Sequence, residues 1–266
     1  MNSPMVIEEN NLSVAWGKAF LGVVRAREIA PLVVVIKELD NAEPPEVPAI
    51  RDALDHTLEA AGKGSCHTVA NTIFPSWMWN PEADRGELFE RYYKILPRVR
   101  RHQGNRYGVY FERMIAFGHD DNNQGGVNQL EHIIQTWNRG NHRRTALKAA
   151  IFDPHRDHTN QPQRGFPCLQ EVAFARRGQN GLAVSGFYVT QYMFERAYGN
   201  YLGLCRLGRF MAHEMGLRLA QVTCIATPAV RDGSMAMLNG LAERVEAVLD
   251  QSLTAPTTTP NRDGRG

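Results

Sequence analysis

The clearest periodic signal lies in residues 127–137. Leu130, Ile133, Ile134 and Trp137 recur there at intervals of three and four and predict one apolar helical face. The same spacing over 11–24, carried by Leu12, Val14, Ala15, Ala19, Phe20 and Val23, predicts a second helix. Weaker patterns predict helices over 50–61, closed by Gly62 and Gly64, and over 87–99. A long helix is predicted over 198–217, with Tyr201, Leu204, Leu207 and Met211 in its stripe, and a last one over 234–249. Strands are expected at 29–36, 145–152, 166–175, 182–189 and 219–226. The third and fourth flank Gly178-Gln179-Asn180-Gly181, and Asn-Gly is a strong hairpin signal. Residues 41–48, 104–108, 118–126 and 153–165 read as polar loops, and 66–74 as an apolar segment stopped by Pro75. The expected class is α+β, a mixed sheet with flanking helices. One domain is expected over 1–252, followed by a disordered Thr/Pro/Gly-rich tail over 253–266.

Composition narrows the function classes. Hydrophobic residues at 43% and charged residues at 22% are the balance of a soluble globular protein. A formal net charge of +2 argues against a general electrostatic grip on nucleic acid, so no direct nucleic-acid contact is expected. The first residues lack the basic segment and apolar core of a signal peptide, and the apolar run over 30–36 is too short for a bilayer. A cytoplasmic protein without membrane contact is therefore expected. Cys66, Cys168, Cys205 and Cys224 form no CxxC pair and no zinc spacing, and read as free thiols.

Cys168 follows Pro167 and precedes a hydrophobic strand, which places it at a strand mouth. A thiolate is a good nucleophile where positive charge lowers its pKa, and Arg143, Arg144, Arg156 and Arg164 are candidate sources. On the residues alone an inert buried thiol is the commoner reading. Likewise Arg143-Arg144 reads as a solvated pair, Asn200 as a helix N-cap, and Trp77 and Trp79 as core or interface aromatics. Asp153-Pro154-His155-Arg156-Asp157-His158 holds two Asp and two His, but no distant further ligand stands out, so a polar loop is favoured over a metal site. His213-Glu214 is not part of an HExxH pattern.

Several segments taken in order change this balance. Arg106-Tyr107-Gly108-Val109-Tyr110, the helix from Gln129, Arg143-Arg144, Pro167-Cys168, Asn180-Gly181 and Gly199-Asn200-Tyr201 together resemble the thymidylate synthase family over about residues 100–245. The resemblance implies a homodimer formed through the sheet and a reaction at C5 of a uracil-type pyrimidine nucleotide. Cys168 would add to C6 of the ring. Arg143 and Arg144 would bind the nucleotide phosphate of the other subunit, and Asn200 would pair with the uracil edge. Tyr110 and Arg164 would be further substrate contacts. Trp77, Trp79 and Asn71 would line a site for 5,10-methylenetetrahydrofolate, the carbon donor for a methyl or hydroxymethyl product, and no metal is implied.

The chain departs from the family pattern at several places. Tyr188-Val189-Thr190-Gln191 lacks the phosphate arginine, Leu169 replaces a histidine, and 225–230 lacks the sugar-binding segment. Two alternatives follow: a non-catalytic nucleotide-binding descendant, or a cysteine-dependent pyrimidine-modifying enzyme that does not use folate.

Overall fold

Buried residues alternate along 32–37, 181–188 and 218–226, the period-2 signature of strands with one face against a core. In the computed structural model, which describes residues 3–40, 42–118, 126–140, 142–160 and 166–254, these are β3 (Leu32–Lys37), β6 (Gly181–Tyr188) and β8 (Arg218–Ala226). With β1 (Met5–Glu9), β4 (Lys148–Ala150) and β5 (Leu169–Arg177) they form a six-stranded mixed sheet of order β1-β3-β8-β6-β5-β4. The β1–β3 and β6–β8 pairs are parallel and the other pairs antiparallel. A smaller sheet has the order β2 (Glu28–Ile29), β9 (Ala229–Val230), β7 (Gln191–Tyr192). The helices are α1 (Leu12–Ala26), α2 (Pro48–Ala60), α3 (Cys66–Ile73), α4 (Arg85–Arg101), α5 (Tyr110–Ile115), α6 (Gln129–Asn138), α7 (Pro154–Asp157), α8 (Tyr198–Glu214) and α9 (Met235–Thr254). None of the described helices is long and apolar enough to cross a membrane.

The α+β class and the β5–β6 hairpin agree with the sequence pattern, while several boundaries differ for identifiable reasons. The strand expected over 29–36 is two strands: β2 pairs with β9, and past Pro31 β3 pairs with β1 and β8. Proline has no N–H to donate to a ladder, which suits the break. The strand expected over 145–152 shrinks to β4, because residues 144–146 form a tight 3₁₀ turn. The apolar segment 66–74 is helical, its start fixed by Ser65, whose hydroxyl accepts from the Thr68 amide at 3.2 Å. Within the expected loop 153–165, Asp153 accepts from the His155 amide at 3.0 Å and starts α7. Residues 255–266 of the expected tail lie outside the described residues, and α9 runs on through 253–254.

Helix α8 is the centre of the molecule, and its glycines set how near its neighbours come. A Cβ on Gly208 would stand 2.7 Å from Leu219 Cδ1, so β8 packs directly on the helix backbone. On the opposite side α3 crosses at Gly199, where a Cβ would stand 2.5 Å from Val69 Cβ and 2.7 Å from the Cys66 carbonyl oxygen. Alanine improves helix propensity by about 1 kcal/mol over glycine, but overpacking costs about 1–3 kcal/mol. Here the atoms in the way are a Cβ and a carbonyl, neither of which swings aside. Gly199→Ala is therefore expected to lower the urea midpoint, and an unchanged or raised midpoint would show that the two helices slide apart freely.

The sheet residues that alternate with the core set, among them Val33, Val35, Phe187 and Ile225, are half-buried.

Candidate functional site

Cys168 stands one residue before β5, with its backbone tied down from both sides. The Val189 amide donates to its carbonyl at 3.1 Å, and Gln170 Nε2 donates to the Pro167 carbonyl at 2.8 Å. The side chain lines a cavity of about 260 Å³. Helix α3 contributes Val69 and Thr72, and the segment leading into α5 contributes Asn105, Gly108 and Tyr110. Phe166, Gln191, Glu195, Arg196 and Asn200 complete the polar and aromatic wall.

The other three cysteines are buried and do not line this cavity. Burial pushes the Cys66 and Cys205 thiols far up, and pushes Cys224 up to about 12. Burial also raises Cys168 above the ordinary cysteine value, and the positive charge of Arg196 pulls it part of the way back. Among the described residues of one chain the cation acting on the thiol is thus Arg196. Arg143, Arg144 and Arg156, the sources expected from the sequence, do not line the cavity of that chain. Arg164 lies outside the described residues.

Arg196 sits on a wide π-type turn, residues 193–197, which bridges β7 to α8. Such turns recur at functional sites because they re-aim one side chain out of a regular helix. Asp232 holds the turn in place, accepting from the amides of Phe194 at 2.8 Å and Glu195 at 2.9 Å. Arg196 pairs with Glu195 at 2.8 Å, and Glu195 also meets Lys63 at 3.0 Å.

Asn200 is not the N-cap expected from the sequence. Helix α8 begins at Tyr198, so Asn200 is inside its first turn. It is 4% exposed and lines the cavity, and among the described residues no hydrogen bond engages its side-chain amide. Its amide is not among the buried polar atoms that lack a partner, so the uncommitted donor and acceptor open onto the cavity, which suits a ligand. Gln191 is committed: it accepts from the Tyr201 hydroxyl at 3.2 Å and donates to Cys224 Sγ at 3.4 Å. Tyr110 stacks on Phe166 at 5.2 Å, and its hydroxyl meets the backbone at Cys168 and Leu169. Burial raises its phenol above the ordinary range. Tyr110 therefore braces the backbone that carries the thiol.

The remaining residues singled out from sequence lie elsewhere. Asn71 is on α3 but does not line the cavity, where Val69 and Thr72 are presented. Trp77 is 64% exposed. Trp79 packs against Phe74, Phe210 and His213, with ring centroids 6.1, 5.7 and 5.5 Å away. Arg143 is exposed, and Arg144 opens onto a second groove with Trp137, His142, Lys148 and Arg176. In the Asp153–His158 cluster, Asp157 accepts from Arg113 Nη2 at 2.8 Å, both side chains fully buried. No group of three or more metal-ligating side chains is gathered anywhere among the described residues.

Sequence reasoning had passed over Glu195, Arg196 and Gln191. The available signal was spacing, since Arg196 precedes Asn200 by four residues, one helical turn. No protein-family model matches the chain, and no curated protein matches it either.

Proposed function

We propose that this chain is a cysteine-dependent enzyme acting at C5 of a uracil-type pyrimidine nucleotide, with a thymidylate-synthase-like fold. One observation carries the reading: Cys168 and the uncommitted side-chain amide of Asn200 line the same cavity. Before attack the thiol loses its proton to solvent in the open cavity, and Arg196 stabilises the thiolate that remains. The sulfur forms a bond to C6 of the ring, and the C5–C6 π pair moves onto C5 and the O4 carbonyl. The Asn200 amide suits the ring edge, donating to O4 and accepting from N3–H. C5 is then a carbon nucleophile toward a one-carbon electrophile. Loss of the C5 proton to solvent and expulsion of the thiolate restore the ring.

The folate that the resemblance implies does not fit the described residues. Asn71, Trp77 and Trp79 are not on this cavity, whose volume of about 260 Å³ falls below the roughly 300–1,000 Å³ of pockets for drug-sized ligands. No step is assigned to the folate.

The test is the intact-protein mass after incubation with 5-fluoro-UMP or 5-fluoro-dUMP, each with and without methylenetetrahydrofolate. Fluorine at C5 makes C6 more electrophilic and favours addition of the thiolate, and once C5 has taken up a one-carbon group it blocks the proton loss that would release the ring. An added mass of one nucleotide on the peptide carrying Cys168 is the expected result. An adduct carrying folate as well would reinstate folate as donor. No adduct under any condition would leave the non-catalytic nucleotide-binding reading.

The reading also takes a second copy of the chain as partner. The half-buried sheet face supports it: Val33, Val35, Phe187 and Ile225 form an apolar patch there, flanked by Lys37, Ser185, Gln221 and Thr223. In a dimer the exposed Arg143 and Arg144 become available to the other subunit. Sedimentation velocity is expected to give a dimer at micromolar concentration, and a monomer throughout would remove this partner.

A further inference from the structure

The solvent face of α4 carries a stripe of positive charge. Arg91, Lys94, Arg98 and Arg101 follow one another at steps of three and four, so they share one side of the helix, and all four are exposed. From Arg91 to Arg101 the stripe runs about 15 Å. Among the described residues none of the four is paired with a carboxylate; Glu90, one turn before Lys94, does not meet it. A helix dipole favours cations only within the last turn. That accounts for Arg98 and Arg101 and leaves Arg91 and Lys94 outside its reach. The two ends of the stripe also have distinct surroundings. At one end Arg91 Nη1 donates to the Met78 carbonyl at 3.0 Å, beside Trp77, which is 64% exposed. At the other end the chain passes from Arg101 into the tight turn Gln103–Asn105, where Gly104 and Asn105 line the Cys168 cavity and the exposed Gly104 marks its mouth. Arg106 follows, exposed, with its guanidinium 4.6 Å from the centre of the Tyr107 ring.

We propose that the pyrimidine acted on at Cys168 belongs to a single-stranded polynucleotide, whose backbone lies along the α4 stripe while one unstacked base enters the cavity. The base rests on the pyrimidine reading above; the contact with the strand rests on the charges and on Trp77. A row of cations beside an exposed aromatic ring is the arrangement that holds single strands, the cations following the phosphates and the ring stacking on a base. The cavity of about 260 Å³ has room for one unit of such a strand and leaves the neighbouring units outside, where the stripe begins. A base must leave its stack before chemistry can reach it, and a single strand gives one up at lower cost than a duplex. The net charge of +2 does not oppose this, because the field is local to one helix face. An acidic polypeptide is the other polyanion that could meet four cations in a row, and Trp77 favours the strand, since an indole stacks on any base.

The test is fluorescence anisotropy of a labelled short oligouridylate across a salt series, joined to adduct formation. Four phosphate contacts predict a slope of about −3 for the logarithm of the association constant against that of salt. The variant carrying Arg98→Gln and Arg101→Gln should bring the slope to about −1.5 and weaken binding about tenfold. Trp77→Ala should weaken binding about tenfold with the slope unchanged. These positions are exposed, so both variants are expected to keep the native urea midpoint. An oligonucleotide containing 5-fluorouracil should label Cys168 about tenfold or more faster than 5-fluoro-UMP, an advantage the double variant loses. Absence of oligouridylate binding, or binding that the double variant leaves unchanged, overturns the proposal, and an adduct from 5-fluoro-UMP would then leave the pyrimidine reading standing. Polyglutamate that displaces the label as well as unlabelled oligouridylate also overturns it, in favour of an acidic polypeptide. Binding with the expected slope but no Cys168 adduct from either reagent overturns it through the pyrimidine reading, with the strand contact left in place.

Discussion

Replacing Cys168 with alanine abolishes adduct formation and lowers turnover by about a thousandfold or more, the scale on which loss of a covalent nucleophile acts. The fold is expected to survive. Cys168 is only half-buried and its backbone is held through main-chain carbonyls, which the substitution leaves in place. The same change at Cys205 has the opposite profile. That thiol is 1% exposed in the core, so truncation costs stability by opening a void while the cavity keeps its nucleophile. The pH profile adds a separate reading. Burial raises the Cys168 thiol and Arg196 opposes it, so the reactive thiolate is the minor form at neutral pH and grows as pH rises. Alkylation of Cys168 should therefore climb through the alkaline range, with a midpoint above that of a free cysteine. Arg196→Gln should move that midpoint further up, because it removes the opposing charge. Full turnover in Cys168→Ala would end the covalent mechanism, whatever the pH profile shows.

How much of this was readable from the chain depends on where each residue sits. The β5–β6 hairpin announces itself through Asn180-Gly181, and Cys168 and Asn200 stand near the starts of elements that hydrophobic patterning locates well, whereas Tyr110 opens α5, a helix the pattern did not mark. Strand β1 escaped because five residues containing Glu8 and Glu9 give no apolar run, and its pairing with β3 comes from residues some twenty-five positions away. Helix α3 was ambiguous for another reason. Its eight residues mix β-branched and polar types, and the serine that starts it lies outside the apolar segment. The site residues that went unseen share one feature. Gln191, Glu195 and Arg196 belong to a two-residue strand and a π-type turn, elements too short to show a repeating period, and only the spacing of Arg196 from Asn200 gave a signal. Their position is set by tertiary contacts such as the Asp232 carboxylate, which arrives from about forty residues further along the chain. Arg196, the cation that acts on Cys168 among the described residues, is placed by that turn and not by an element whose pattern the chain displays.

The second large effect concerns stability and begins from the cluster that had looked like a metal site. Asp157→Ala is expected to destabilise the fold by about 3–5 kcal/mol, the cost of removing one partner from a buried ion pair. Asp157 Oδ1 accepts from Arg113 Nη2 at 2.8 Å, and Oδ2 accepts from the Asp153 amide at 2.8 Å. Both side chains of the pair are fully buried, so the alanine variant leaves a guanidinium in the core with its charge uncompensated. A neighbouring arginine worsens this, because burial and the Arg113 charge already lower the Arg156 guanidinium. Asp157→Asn should lie between wild type and alanine, since it keeps an acceptor but not the charge. The damage should also reach the Cys168 cavity. Arg113 lies over the Phe166 ring at 5.4 Å, and its Nε would stand 3.1 Å from a Cβ at Gly108; Phe166 and Gly108 both line the cavity. A weaker 5-fluoropyrimidine adduct in Asp157→Ala, under conditions where the chain is still folded, is therefore expected alongside the lower urea midpoint. A loss below about 1 kcal/mol would mean that water reaches Arg113 in the variant, and the pair would then count as a surface interaction.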